Sequence, residues 1–196
     1  MSFIDAESDA PDVRRILCLA GSLRRRSWNR LLLQGAANFA PSGLNLRLYD
    51  ELDCVPPFNE DLENLPPASV QSLRREVSKA DGILIATPEY NHSFPGVLKN
   101  VIDWLSRGSH SVLAGKPTAV IGASAGNWGT RLAQAALRQV LVATEARLLP
   151  APMLYVARAE ACFDPDGRLS DLKLQAALTQ LIIAFEDWIV LHSHRD

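Results

Sequence analysis

Three short apolar runs constrain this chain more than any other feature: Ile16-Leu17-Cys18-Leu19-Ala20, Gly82-Ile83-Leu84-Ile85-Ala86 and Thr118-Ala119-Val120-Ile121-Gly122. None shows the polar alternation of a half-exposed strand, so each reads as a strand buried on both faces. Strands of that kind belong to parallel sheets covered by helices on either side. The text between them agrees. Ser27 to Phe39 reads as a helix with Leu31, Leu32 and Ala36 near one face, ended by Pro41-Ser42-Gly43. Ser69 to Ala80 reads as another, with Ser69 as its N-cap.

The remaining elements follow the same logic. Leu44 to Asp50 alternates apolar and polar residues, as an edge strand does. A proline-rich connection, "VPPFNEDLENLPP", leads away from it. From Pro95 to Arg107 a helix gathers Val97, Leu98, Val101, Ile102 and Leu105 on one side. Helices are also expected from Gly129 to Ala143 and, after a "DPDG" turn at 164–167, from Ser170 to Leu191, with a last strand over Leu148 to Val156. Five strands and five helices in alternation predict an α/β fold. It is a flavodoxin-like, doubly wound five-stranded parallel sheet of order 2-1-3-4-5 with helices on both faces.

Composition narrows the class. With 196 residues, 47% of them hydrophobic, the chain can build one ample core, expected over residues 14–196 after a loose acidic arm at 1–13. No apolar run approaches the roughly 20 residues of a spanning helix, and "MSFIDAESDAPDVRR" has no leader-like apolar centre, so a cytoplasmic protein without membrane contact is expected. Cys18, Cys54 and Cys162 read as reduced thiols, and His92, His110, His192 and His194 as solvated side chains that hold no metal. A net charge of −2 argues against nucleic acid as a partner. The cluster Arg24-Arg25-Arg26, beside Gly21 and Ser22, suits a small anionic ligand instead.

Ligands of doubly wound sheets lie at the C-terminal strand ends, where the loops after strands 1, 3 and 4 open. In "GSLRRRSWN" Gly21 permits a tight turn, and Ser22, Arg24, Ser27 and Asn29 offer donors where a helix begins, which suits a terminal phosphate. The loop is neither the phosphate loop of nucleotide triphosphatases nor the dinucleotide G-x-G-x-x-G. In "TPEYN" Pro88 stiffens the chain, Tyr90 offers a flat face, and Asn91 offers hydrogen bonds for a planar heterocycle. Glu89 could serve as a base, order its loop, or meet a neighbouring subunit. "GASAGNWG", from Gly122 to Gly129, lets backbone approach a ligand closely. Together the loops describe one ligand with a phosphate at one end and a flat ring at the other.

On these residues the chain resembles the NADPH-dependent FMN reductases, flavodoxin-like reductases of quinones, chromate and azo dyes. The resemblance spans Ile16 to Trp188 and rests on "GSLRRRSWN", on "PPFNEDLE" at 56–63, on "ATPEYNHSFPGVLKNVIDWLSR" at 86–107 and on "GKPTAVIGASAGNWGTRLAQAALRQVL" at 115–141. It implies that Ser22, Arg24, Ser27 and Asn29 hold the phosphate of a tightly, non-covalently bound FMN, with Trp28 also among the cofactor-binding residues. Pro88, Glu89, Tyr90 and Asn91 would line its ring, with Ser124, Ala125, Gly126 and Asn127 closing the other side and Glu89 as a positioning residue. It implies NADPH as donor, with NADH possible, a small acceptor, ping-pong exchange in which flavin N5 carries the chemistry, and homodimers or homotetramers. The expected place for Trp104, at the margin of its helix's apolar stripe, is a subunit contact. One departure is plain: Leu132 stands where the family often has an arginine, and Arg131 precedes it. The rival class is a flavodoxin-type electron carrier, but such carriers are strongly acidic and −2 is mild.

Overall fold

All three runs become strands. The computed structural model describes residues 13–108 and 110–193, so the arm expected at 1–13 lies, Val13 apart, outside the described residues, as does His194. The strands are β1 (Arg14–Ala20), β2 (Leu44–Tyr49), β3 (Gly82–Ala86), β4 (Pro117–Ala123), β5 (Arg147–Leu148) and β6 (Leu154–Val156). Every pairing is parallel, in the order β2-β1-β3-β4-β5, with β6 also on β4. β3 and β4 are buried at every position, whereas β2 exposes Asn45 and Arg47, as an edge strand must.

The fifth position of the sheet differs from the expectation of one strand over Leu148 to Val156. β5 pairs with Pro117 and Thr118, β6 pairs with Ile121 to Ala123, and the chain leaves the sheet between them. Pro150 and Pro152 have no N–H to give to a ladder, which breaks the strand. The helix α4 (Arg131–Ala143) holds the two ends instead. Arg138 Nη1 donates to Leu149 O at 3.0 Å, and Gln134 Nε2, one turn earlier, donates to Leu154 O at 2.9 Å.

Alternate residues of the strands feed two cores. Ile16, Cys18 and Ala20 of β1 join Leu84, Ile121 and the inner faces of α1 (Trp28–Asn38) and α5 (Leu172–Ser193). Leu17 and Leu19 join Ile83, Ile85, Val120 and the inner faces of α2 (Ala68–Lys79), α3 (Gly96–Leu105) and α4. Burial drives the Cys18 thiol up to about 12, so it stays protonated within the first core. α5 corrects one expectation: with 22 residues it is, by length and composition, long and apolar enough to cross a membrane. Its run is less obvious in the sequence because polar residues interrupt it; here Leu174, Leu178, Leu181, Ile182, Phe185 and Ile189 are buried in the first core. α2 corrects another: Pro67, not Ser69, occupies its N-cap position, and no side chain bonds there.

The connection after β2 forms two short 3-10 turns, Leu52–Cys54 and Glu60–Leu62, and is strapped to α3. Asn100 makes the strap fast, accepting from Phe58 N at 2.7 Å and donating to Pro56 O at 2.9 Å. Trp104 Nε1 also donates to Pro56 O, at 2.9 Å, and the Phe58 ring meets Trp104 edge-on at 4.9 Å. Trp104 is therefore 1% exposed and is filled in by its own chain, not placed at a subunit contact. The sequence places it on the helix margin correctly, but its cover arrives from 46 positions away. Asn100→Ala should cost about 2 kcal/mol, because it leaves the Phe58 N–H unpaired and takes one of two donors from Pro56 O, which keeps only Trp104. Urea unfolding measures that loss, and limited proteolysis should then cut first within residues 56–66; an unchanged midpoint would show that the strap contributes nothing.

Candidate functional site

The loops after β1, β3 and β4 meet at the C-terminal edge of the sheet, where β1 sends the chain outward to β2 and β3 begins the return. They enclose a cleft of about 240 Å³. From the first loop Ser22, Arg24, Ser27, Trp28 and Asn29 line it; from the second Pro88, Glu89 and Tyr90; from the third Ser124, Ala125 and Gly126. Asn91 and Asn127, also expected there, are absent from its lining.

The first loop ends at the N-terminus of α1. Ser27, 2% exposed, is the N-cap, and its hydroxyl accepts from Arg30 N at 3.4 Å. Leu31 N returns to Ser27 O, while the amides of Trp28 and Asn29 find no protein acceptor among the described residues. Those two N–H groups, the Arg24 guanidinium and the hydroxyls of Ser22 and Ser27 gather hydrogen-bond donors and positive charge suited to an anion at one end of the cleft. Gly21 is required for a reason other than turn freedom: a Cβ there would lie 2.5 Å from Leu98 Cδ1 and 3.2 Å from Pro88 Cδ. Asn29 is not a free donor. Its Nδ2 donates to Ala123 O at 3.0 Å and its Oδ1 accepts from Ala123 N at 2.9 Å, bracing α1 against the end of β4.

The second loop carries a carboxylate with a defined task. Glu89 Oε2 accepts from Leu132 N at 2.9 Å and Ala133 N at 3.0 Å, the first-turn amides of α4. Thr130, which sits at the N-cap, makes no cap bond, and its hydroxyl accepts instead from Gln134 Nε2 at 3.0 Å. Glu89 thus caps a helix 43 positions downstream and ties the second loop to the third. Tyr90 and Ser93 exchange backbone bonds of 2.9 and 3.0 Å around Asn91 and His92, whose φ angles are 49° and 63°. Asn91 is the tip of a two-residue turn that needs left-handed residues at both positions. Tyr90 stays on the rim, 48% exposed.

The third loop fits between its neighbours because of Gly122, where a Cβ would collide with Thr130 and with the carbonyl of Thr87. Ser124 is held at its backbone by Val156 O and Ala159 N and at its hydroxyl by Gly129 O. Gly126 is open, with Ser124 Oγ the nearest atom to a Cβ there, at 3.7 Å. Asn127 accepts from Arg158 Nε at 2.9 Å, and Arg158 N donates to Gly126 O at 3.0 Å. Arg158 is the residue that reading the sequence misses: it follows β6, far from any of the three loops, and no local pattern marks it.

The departure at Leu132 also has a structural consequence. Leu132 is 50% exposed, and the cation one place earlier, Arg131, lies 5.7 Å over the Tyr155 ring, so it is anchored to the β6 side of the rim. No thiol is poised to react. The negative charge of Asp53 raises exposed Cys54, and burial, then Asp171, raises Cys162. Among the described residues no group of three His, Cys, Asp or Glu could hold a metal.

Because one oxygen of Glu89 serves two amides, removing it should uncouple the loops. Glu89→Ala is expected to cost about 1–2 kcal/mol, the usual worth of a charged cap, and Glu89→Gln roughly half of that, since its carbonyl oxygen can still accept. Chemical denaturation of both variants measures this, and equal stability of Glu89→Ala and the parent would refute the cap.

Comparison with known proteins agrees with this architecture. The sequence profile of NADPH-dependent FMN reductase matches residues 14–161. An NAD(P)H-dependent FMN reductase of Pseudomonas aeruginosa is 42% identical over 177 residues, covering 89% of this chain and 95% of the relative. A 2-hydroxy-1,4-benzoquinone reductase of a Burkholderia species is 36% identical over 176 residues, covering 89% and 96%. Among solved structures, FerB, a flavoenzyme NAD(P)H:(acceptor) oxidoreductase of Paracoccus denitrificans, superposes with a TM-score of 0.85 at 35% identity, over 92% of this chain and 99% of that one. The chain belongs to the NADPH-dependent FMN reductase family.

Proposed function

We propose that the cleft binds FMN and that the protein passes two electrons from NADPH, with NADH a possible substitute, to a quinone. Azo dyes, metal oxyanions and free flavin are further acceptors. The observation that carries the reading is the cleft itself. Free first-turn amides of α1, Arg24 and two hydroxyls stand at one end, and unpaired loop backbone stands at the other.

The residues present fit FMN. Ser22, Arg24 and Ser27 with the amides of Trp28 and Asn29 would hold its phosphate, while the side chain of Asn29 keeps that helix start in place. Pro88, Glu89 and Tyr90 would line one side of its ring and Ser124 to Gly126 the other. When bound, FMN supplies the relay of a hydride, which no side chain in the cleft can provide. The amides of Ala125 and Gly126 have no acceptor among the described residues, so they are available to stabilise negative charge at the ring edge. The Tyr90 amide is not available, since Ser93 O accepts from it.

Donor and acceptor then use one open face in turn, which gives parallel initial-rate lines when both are varied. A cleft of about 240 Å³ is smaller than the roughly 300 Å³ at which ligand sites usually begin, and its rim exposes Tyr90 by 48%, Trp128 by 74% and Leu132 by 50%. Those side chains support a homodimer or homotetramer in which a second copy covers the rim. Light scattering should show more than one chain per particle.

The purified, FMN-loaded protein mixed anaerobically with NADPH should bleach rapidly and regain its colour on adding benzoquinone. Persistent yellow would point to an electron carrier, and intersecting rate lines would rule out the shared face. Arg24→Ala should weaken FMN binding roughly 10- to 100-fold, the 1.5–3 kcal/mol of a charge-assisted hydrogen bond, by fluorescence titration of the apoprotein.

A further inference from the structure

The third loop is fastened unevenly. Ser124, at its start, is held from three sides: its N–H donates to Val156 O at 2.9 Å, its carbonyl accepts from Ala159 N at 3.0 Å, and its hydroxyl donates to Gly129 O at 2.8 Å. Beyond it the chain runs exposed from Ala125 to Trp128. Among the described residues two hydrogen bonds tie that stretch to the rest of the chain, and Arg158 donates both. Its backbone N–H reaches Gly126 O at 3.0 Å, and its Nε–H reaches Asn127 Oδ1 at 2.9 Å. One residue therefore grips the loop twice, by main chain and by side chain.

Arg158 is also a conformational exception. Its φ and ψ are both 47°, in the left-handed region that glycine enters freely and a residue with a Cβ does not. A glycine would suit this backbone better and would still offer its N–H to Gly126. The guanidinium, with its bond to Asn127, is what the arginine adds, and a disfavoured conformation kept by its surroundings points to a use for the side chain. The base of the grip is fixed: the next residue, Ala159, is fully buried and bonded to Ser124, and Ala161 N closes back on Arg158 O at 2.9 Å. Among the described residues the guanidinium makes no ion pair, so its charge strengthens the bond to Asn127 undivided. The stretch held in this way carries the Ala125 and Gly126 amides, which line the cleft and have no acceptor among the described residues.

We propose that Arg158 is a positioning residue for the glycine-rich wall of the cleft: by gripping Gly126 and Asn127 it fixes the direction of the Ala125 and Gly126 amides. It thereby sets how strongly the protein favours a reduced, negatively charged flavin ring over the oxidised one, an assignment that rests on the flavin reading of the cleft. Donors stabilise developing charge best when they need not be turned as the charge appears, and a loop that swings loses that advantage. Arg158 does not itself line the cleft; it acts through the loop.

Arg158→Gly tests this on the full chain, since it keeps the left-handed backbone and the bond to Gly126 and removes the guanidinium. Without FMN, backbone amide NMR relaxation should give lower order parameters at Gly126 and Asn127 in the variant than in the parent; equal values would overturn the grip. With FMN bound, the variant should hold reduced FMN about three- to tenfold more weakly relative to oxidised FMN. At about 30 mV per tenfold for a two-electron couple, that is a midpoint about 15–30 mV lower in a dye-equilibrated titration, and an unchanged midpoint would overturn the proposal. Asn127→Ala separates the grip from the charge, because it keeps the arginine and removes its acceptor. It should lower the midpoint by a similar amount, and adding Arg158→Gly to it should lower the midpoint little further. The full drop in that background would mean that the guanidinium acts by its field alone, which would also overturn the proposal. A parent that binds no FMN would sink the flavin reading, while the relaxation arm would still decide whether Arg158 holds the loop.

Discussion

The cleft depends on the pair of hydrogen bonds between the Asn29 side chain and the backbone of Ala123. Where parallel strands end, each strand's last N–H and C=O lose their ladder partners while the chain turns into a loop. Asn29 supplies both a donor and an acceptor to the last residue of β4, as a neighbouring strand would, from the first turn of α1. Each bond contributes about 1 kcal/mol net, but losing the side chain would leave a buried N–H and C=O unpaired, at a cost of about 1–3 kcal/mol each. The asymmetry fixes the distance between the α1 end of the cleft and its glycine-rich wall. Glu89 does the corresponding work between the second and third loops, and Gly122 lets Thr87 and Thr130 approach closely enough for both braces to close.

This division of labour explains what could be read in advance. The central strands were legible because burial on both faces favours apolar residues at every position, a rule that β3 satisfies throughout, β1 from Ile16 onward and β4 but for the buried Thr118. Helix spans followed from a periodicity that the two cores enforce, and the order of the sheet followed from the alternation. The meeting of the three loops was legible too, since it depends on topology and not on side chains. What was hidden depends on long-range partners. Trp104 looked like an interface residue only because Phe58 and Pro56 are distant in sequence; the split of the fifth strand had a local signal in Pro150 and Pro152, and only the seating of its two ends on α4 depends on distant partners.

Asparagine shows the limit most clearly. Asn29 and Asn91 were read as hydrogen-bonding partners of a ligand, because an amide in a loop at a strand end has the right chemistry, and the family resemblance added Asn127. The structure spends the Asn29 amide on a strand end, uses the left-handed tolerance of Asn91 in a two-residue turn, and turns the Asn127 carbonyl to Arg158. All three uses draw on properties that make asparagine a good ligand residue as well. Residue type cannot separate them; only the position of the partner can.

The same braces set the electrostatics of the cleft. A helix N-terminus carries roughly half a positive charge, and among the helices that start at this edge of the sheet α1 and α4 begin in or against the loops that line the cleft. Glu89 takes up the positive end of α4, so that helix offers little to an anion. The start of α1 has no such carboxylate in its first turn and has Arg24 beside it. The cleft is therefore polarised, with its anion-attracting end beside α1 and a near-neutral end where Glu89 meets α4. An arginine at position 132 would add a cation to that second end and blunt the contrast; Leu132 leaves it intact, and Arg131 is held away on Tyr155. A ligand with a phosphate at one end and an uncharged flat ring at the other can lie in such a field in one direction only.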